Sequence, residues 1–139
     1  MIQYKINQDI QASIIQDLYL NAGVENRRPT DGVRLEKMIT NANLMVSAWD
    51  DDLLIGVCRC MSDFTYVTYV ADLMVRETYQ KRGVGRELLR ITKSESGDTC
   101  KLVLVSAPDA NDFYSRVGFS EHPRAWELAP NRSIQSSLQ

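Results

Sequence analysis

The stretch from Thr65 to Ala107 constrains the fold of this chain more than any other. It opens with "TYVTYVADLMV", whose density of β-branched and aromatic residues suits a strand. It closes with "KLVLVSA", a continuous apolar run of the kind expected of a strand buried on both faces. Between them Val84, Leu88, Ile91 and Thr92 share one face with Leu89 beside it, which predicts an amphipathic helix over 84–95. Strand, helix and strand in succession require a crossover, and the two strands then run parallel. The chain is thereby committed to a sheet with a helix packed on it.

The flanking segments extend that sheet. Asn7 is placed to cap a first helix over roughly 8–22, where Ile10, Ile14, Leu18 and Ala22 recur at helical spacing and Gly23 marks the stop. "VENRRPTDG" is polar and reads as a loop, and a second helix over about 31–42 carries Val33, Leu35, Met38 and Ile39. "LMVSAW" is a strand, "DDD" a tight turn, and Leu53–Ser62 the returning hairpin partner. After the crossover, "PDANDFYSRV" is a short helix opened by Pro108 and ended by Gly118, and "RAWEL" is a final strand. The expected order is ααββ, an antiparallel meander, followed by β-α-β-α-β: one mixed α/β domain over 1–129, with a flexible tail over 130–139.

Composition closes off several function classes. A net charge of −2 argues against a general nucleic-acid binder, which needs a broad basic field. No apolar run reaches eighteen residues, and "MIQYKINQDI" lacks a signal-peptide pattern, so neither a membrane partner nor export is expected. Cys58, Cys60 and Cys100 follow no metal-ligand spacing, and with His122 as the single histidine no metal site is expected. Free thiols fit a reducing cytoplasm.

Against this acidic background, "YQKRGVGREL" (79–88) concentrates two glycines and a basic cluster where a strand gives way to a helix. The first N–H groups of a helix have no intrahelical partner, and the dipole there favours an anion. Glycines let a ligand approach the backbone, so the junction suits a phosphate. Between Arg76 and Lys93 stand six basic residues and two acidic ones. Arg86, Arg90 and Lys93 form a stripe away from the apolar face, and Lys81 and Arg82 flank the loop itself. A P-loop is excluded because Arg86 and Glu87 follow Gly85, and a dinucleotide fingerprint because Leu88 stands where its third glycine belongs.

The spacing Gln80-x-x-Gly83-x-Gly85, set in "ADLMVRETYQKRGVGRELL", resembles the acetyl-CoA pyrophosphate loop of the GCN5-related N-acetyltransferase (GNAT) superfamily. "DFYSRVGF" resembles that family's Phe-Tyr-x-x-x-Gly-Phe segment, and the likeness covers about residues 44–128. It implies a GNAT-type acyl-CoA N-acyltransferase fold and acetyl transfer from acetyl-CoA to a primary amine of a small molecule, without a metal. It further implies that Gln80, Lys81, Arg82, Gly83, Val84, Gly85 and Arg86 hold the pyrophosphate. The pantetheine arm would bond to main-chain groups of Leu73, Met74 and Val75, and Tyr114 would protonate the departing thiolate. Many relatives have an asparagine where this chain has Ala107; Asn111 is a partial substitute among the acetyl-CoA contacts. Homodimers are common in the family.

The acceptor side is less determined. Asp72 interrupts an apolar strand, between Val70 and Met74, and reads either as a base acting on the amine or as a brace for the sheet. Tyr69 and Ala71 would point to the opposite face, and bulk water is the other candidate for the base. Arg59 interrupts the apolar face of its own strand and invites an anion: a substrate carboxylate, Asp63 or Asp72. Arg27 and Arg28 lie in the loop that lines the acceptor cleft in the resembled fold, and Trp126 either walls that cleft or joins the core. The acceptor set is accordingly Arg28, Arg59 and Asp63. Other acyl-CoA donors, a protein lysine or N-terminus as acceptor, and a non-catalytic acyl-CoA sensor remain alternatives.

Overall fold

The computed structural model describes residues 1–23 and 28–136. They belong to two compact units, Met1–Val105 and the segment from Ser106 onward.

The first unit is a five-stranded sheet carrying helices on both faces. Its elements are β1 (Ile2–Ile6), α1 (Ala12–Leu20), α2 (Gly32–Thr40), β2 (Leu44–Asp50), β3 (Leu53–Ser62), β4 (Val67–Val75), α3 (Val84–Ser96) and β5 (Lys101–Leu104). The strands lie in sequence order; β1 to β4 are antiparallel, and β5 pairs with β4 in parallel. This is the mixed α/β fold with the antiparallel meander and parallel crossover expected from the sequence. Among the described residues no helix is long and apolar enough to cross a membrane.

Each face of the sheet buries a distinct set. Ile15, Leu18 and Tyr19 of α1 and Leu35 of α2 join Met45, Trp49, Val57 and Met74 in one core. On the opposite face Val84, Leu88, Leu89 and Thr92 of α3 are buried against β2, β3 and β4. Gly56 of β3 admits that helix: a Cβ there would lie 3.1 Å from Leu88 Cδ1 and 3.2 Å from the Met74 carbonyl oxygen. The three cysteines are buried, free thiols.

Four local expectations are corrected. "IQYKI" is β1, and Asn7 follows it with φ +53°; Asn7 bonds main chain and side chain to Met45, and Gln11 precedes α1 in its place. β5 stands at the sheet edge and is only half-buried, because the sheet ends there. Residues 124–128 form no strand: their chain turns locally, with Ala125 N–H on the His122 carbonyl, and Trp126 is 95% exposed, outside any core.

The fourth correction concerns the face on which Asp72 lies. Arg59 pairs with Asp72 and Cys60 with Val70, so one step on β3 corresponds to two on β4 and Ala71 is the extra residue of a β-bulge. A bulge reverses which side chains face which side beyond it. Thr68 and Val70 therefore face α3, whereas Asp72 and Met74 face α1, together with Tyr69.

In the second unit α4 (Asn111–Arg116) is followed by Gly118 at φ +107°, and Phe119 N–H bonds the Tyr114 carbonyl at 2.9 Å.

Candidate active site

β4 outruns its parallel neighbour. β5 pairs with Val67–Val70 alone, so among the described residues Ala71–Val75 has a strand partner only on the β3 side. Main-chain groups alternate sides along a strand, and the Arg76 N–H bond to the Ile55 carbonyl at 2.8 Å sets the phase. Met74 faces Val57 as a hydrogen-bonded pair, while Leu73 and Val75 turn their main-chain groups to the open edge. Of the three residues expected to bond an extended ligand arm, Met74 is therefore ruled out by its phase.

The open edge leads into the glycine loop. A single 3-10 turn, Glu77–Tyr79, is tied to α1 through Glu77 N–H on the Asn21 carbonyl at 2.8 Å. Gln80 Nε2 donates to the Val75 carbonyl at 2.9 Å, so its side chain anchors the loop to the end of β4. Lys81 has φ +62° and Gly83, at the N-cap of α3, φ +84°. No side chain caps α3, and its first intrahelical bond in the loop is Glu87 N–H to the Gly83 carbonyl, so the N–H groups of Val84, Gly85 and Arg86 have no helical acceptor. Among the described residues, apart from its chain neighbours and the helix's own backbone, a Cβ on Gly83 would find nothing within 4 Å: the space there is open.

Charge around the loop is selective. Arg76 binds Asp17 at 2.8 Å, Arg90 forms a two-pronged pair with Glu87, and Lys93 Nζ donates to the Gly97 carbonyl. Lys81, Arg82 and Arg86 stay exposed around the helix end. Arg82 lies over the Tyr79 ring at 4.9 Å, and the Tyr79 hydroxyl donates to Asp50. Tyr79 is thus a pillar of the loop that sequence reasoning missed, because its partner lies on β2. An αL glycine, an uncapped helix end and exposed cations together suit a pyrophosphate.

On the α1 face of β4 the acceptor candidates separate. Asp72, only 1% exposed, accepts from Arg28 Nε on one oxygen, and from the Tyr19 hydroxyl and Arg59 Nε (2.6 Å) on the other. Burial alone would push its carboxyl up, but the bond and charge of Arg59, with the bonds from Tyr19 and Arg28, hold it below the ordinary carboxylate range. Burial, with the neighbouring Asp72 charge, pushes the Tyr19 phenol up, so it donates and stays protonated. Arg59 thus pairs internally. Of the two roles read for Asp72, these contacts favour the brace, since a carboxylate with three donors and a lowered pKa is a weak base.

Asp63 is not part of this cluster. It sits in the β3–β4 turn, where its carboxylate accepts the N–H groups of Tyr66, Thr65 and Val67 at 2.7–3.0 Å. β4 spans nine residues, roughly 30 Å at about 3.3 Å per residue, and separates Asp63 from the glycine loop. Arg27 lies outside the described residues. In the second unit Tyr114 is half-buried, edge-to-face with Phe113 (5.1 Å) and Phe119 (5.5 Å). Asn111, exposed at the start of α4, accepts from the Ser106 hydroxyl.

Comparison with known proteins agrees with this geometry. The family described as Acetyltransferase (GNAT) domain matches residues 25–127. A curated relative, an uncharacterised ycf52-like N-acetyltransferase of Prochlorococcus marinus, is 31% identical over 107 residues, covering 71% of this chain and 57% of its own length. The chain therefore spans little more than half of that relative. Among solved structures, a GNAT-family acetyltransferase of Streptococcus pneumoniae superposes with a TM-score of 0.79 at 22% identity, covering 96% of this chain and all of its own. The aminoglycoside N-acetyltransferase AAC(6')-Iy, solved in complex with CoA, superposes at 0.66 with 15% identity, over 95% of this chain and 97% of its own. The chain belongs to the GNAT acetyltransferase domain family.

Proposed function

We propose that this protein transfers an acetyl group from acetyl-CoA to the primary amine of a small molecule. The observation that carries the reading is the uncapped, αL-glycine start of α3 at the end of a β4 whose edge is open over Leu73 and Val75. A pyrophosphate matches the first feature and an amide-bearing arm the second. Family membership supports the acyl-CoA donor, as does the CoA held by the similar AAC(6')-Iy. That neighbour's aminoglycoside acceptor is a precedent for a small-molecule amine on this fold.

In the transfer the amine nitrogen bonds to the acetyl carbon, the carbon–sulfur bond breaks, and the thiolate takes a proton. Main-chain N–H groups of the open β4 edge orient the thioester, with Leu73 the central one. Tyr114 supplies the proton to sulfur: its phenolic O–H is a donor. Asp72 is engaged by its three donors, so the acceptor loses its proton to water.

The test is release of free thiol from acetyl-CoA with a panel comprising a diamine, an amino sugar, an amino acid and a lysine peptide, alongside calorimetric titration of acetyl-CoA. The reading expects micromolar-range binding and thiol release with a small amine, and about a hundredfold slower turnover in Tyr114→Phe at unchanged donor affinity. Binding without thiol release from any amine would make the protein an acyl-CoA sensor. Absence of binding would refute the donor site.

A further inference from the structure

Asp72 is the one buried carboxylate among the described residues, and its partners come from three separate parts of the chain. Tyr19 reaches it from α1, Arg28 from the connection to α2, and Arg59 from β3. The two arginines each hold a second acceptor. Arg28 Nη2 donates to the carbonyl of Ala71 at 3.0 Å, and Arg59 Nη1 to the Met38 carbonyl near the end of α2 at 3.4 Å. Ala71 is the bulged residue, where β4 leaves β5 and its side chains change faces. A bulge interrupts the ladder and leaves the local backbone dependent on outside contacts. One guanidinium grips the carboxylate of Asp72 and the carbonyl before it, a two-acceptor hold that suits a planar fork and that the single charge of a lysine does not reproduce.

We infer that Arg28 and Asp72 are positioning residues: together with Tyr19 and Arg59 they clamp the Ala71 bulge to α1 and α2, fixing the direction in which Leu73 presents its main chain at the open edge. The clamp ties the helices beside the acceptor face to the strand that carries the donor edge. Its bearing on catalysis rests on the transferase reading above; its bearing on the backbone does not. The groups facing Asp72 are Tyr19, Arg28 and Arg59, and none of them is a proton donor to substrate in this scheme.

Amide hydrogen exchange of the full chain without ligand tests the clamp directly. In Arg28→Lys and Arg28→Ala, exchange of the Asp72 and Met74 amides, which face β3, is expected to accelerate at least about tenfold while the β2–β3 ladder stays protected, because the fault is local. Unchanged exchange of these two amides in both variants would overturn the proposal. A second arm follows turnover against pH, with acetyl-CoA and the amine that the native protein uses best. Asp72→Asn and Arg28→Lys are expected to lower kcat about 10- to 100-fold, with the acid-side limb of the profile kept at its native position. Loss of that limb in Asp72→Asn would make Asp72 the base and overturn the proposal; if this variant does not fold, Arg28→Lys and the exchange arm decide. A native protein that binds acetyl-CoA but turns over no amine would refute the transferase reading, and the exchange arm would still decide the clamp.

Discussion

Replacing Gly83 by alanine separates what the loop does for folding from what it does for a ligand. The residue has φ +84°, where an L-residue costs about 1–2 kcal/mol relative to glycine. Among the described residues its Cβ would meet nothing within 4 Å beyond its chain neighbours and the helix's own backbone, so no clash adds to that strain. Stability is therefore expected to fall by about 1–2 kcal/mol, roughly 3–10 °C in Tm for a chain of this length. The new methyl enters open space at the N-cap of α3, and the reading expects it to hinder a phosphate approaching the N–H groups of Val84, Gly85 and Arg86. Loss of one hydrogen bond to a charged acceptor is worth about 1.5–3 kcal/mol, or an acetyl-CoA Kd about 10- to 150-fold weaker. Gly118→Ala is the internal control: its φ is +107° and its Cβ also has open space among the described residues, so it too carries positive-φ strain, at least as large, without a place in the loop. Thermal melts and calorimetric titration of both variants measure the two effects. A Gly83→Ala protein with native acetyl-CoA affinity, or a loss matched by Gly118→Ala, would refute the assignment of the loop.

Two further outcomes follow from buried contacts. The Asp72 carboxyl has a lower pKa in the folded protein than in the unfolded chain, so its stabilising contribution is present above the ordinary carboxylate range and is lost as pH falls through the folded value. Urea midpoints measured from pH 7 downward should therefore fall, and should fall less steeply in Asp72→Asn; equal slopes would refute the linkage. Gly56→Ala places a Cβ 3.1 Å from Leu88 Cδ1, 3.2 Å from a main-chain oxygen and 3.3 Å from Val84 Cγ1, and should destabilise by about 1–3 kcal/mol in a urea titration. No loss there would mean that α3 shifts freely on the sheet.

Much of the scaffold is legible in the sequence because its periodicity is strong. Leu53–Ser62 forms a strand over the expected residues, and the apolar face from Val84 to Thr92 becomes the buried side of α3. The missed strand β1 also has a legible signal: Ile2, Tyr4 and Ile6 alternate with Gln3 and Lys5, a period of two that a reading aimed at export signals passes over. The bulge is different in kind. Val70, Asp72 and Met74 read as one face of an unbroken strand, and only pairing with β3 shows that Ala71 is extra. "RAWEL" carries a strand-like composition yet makes no ladder, because pairing, not propensity, decides short segments. The partners of Asp72 come from 53, 44 and 13 residues away, beyond the reach of any local pattern. The glycine loop is legible for the opposite reason: strand end, αL glycine and helix start are consecutive in the chain.

The same distinction locates specificity within the molecule. Every described element that suits the loop to a donor pyrophosphate belongs to a continuous run from Val75 to Arg86, braced by Asp50 through Tyr79. On the transferase reading the acceptor face is assembled from α1, α2, β3 and β4; the bulge at Ala71 puts Asp72 on the same face as Tyr69, while Leu73 and Val75 turn their main chain to the open edge. On the transferase reading one strand would serve the donor through its backbone, while its Tyr69 and Asp72 side chains lie on the acceptor side. On the same reading, changes in α1 or α2 are expected to alter which amine fits without touching the loop, provided that Arg28 keeps hold of both Asp72 and Ala71. Substitution at Arg28 is the case in which the two sides fail together, since it is the side chain that bonds the acceptor-side carboxylate and the donor strand's bulge at once.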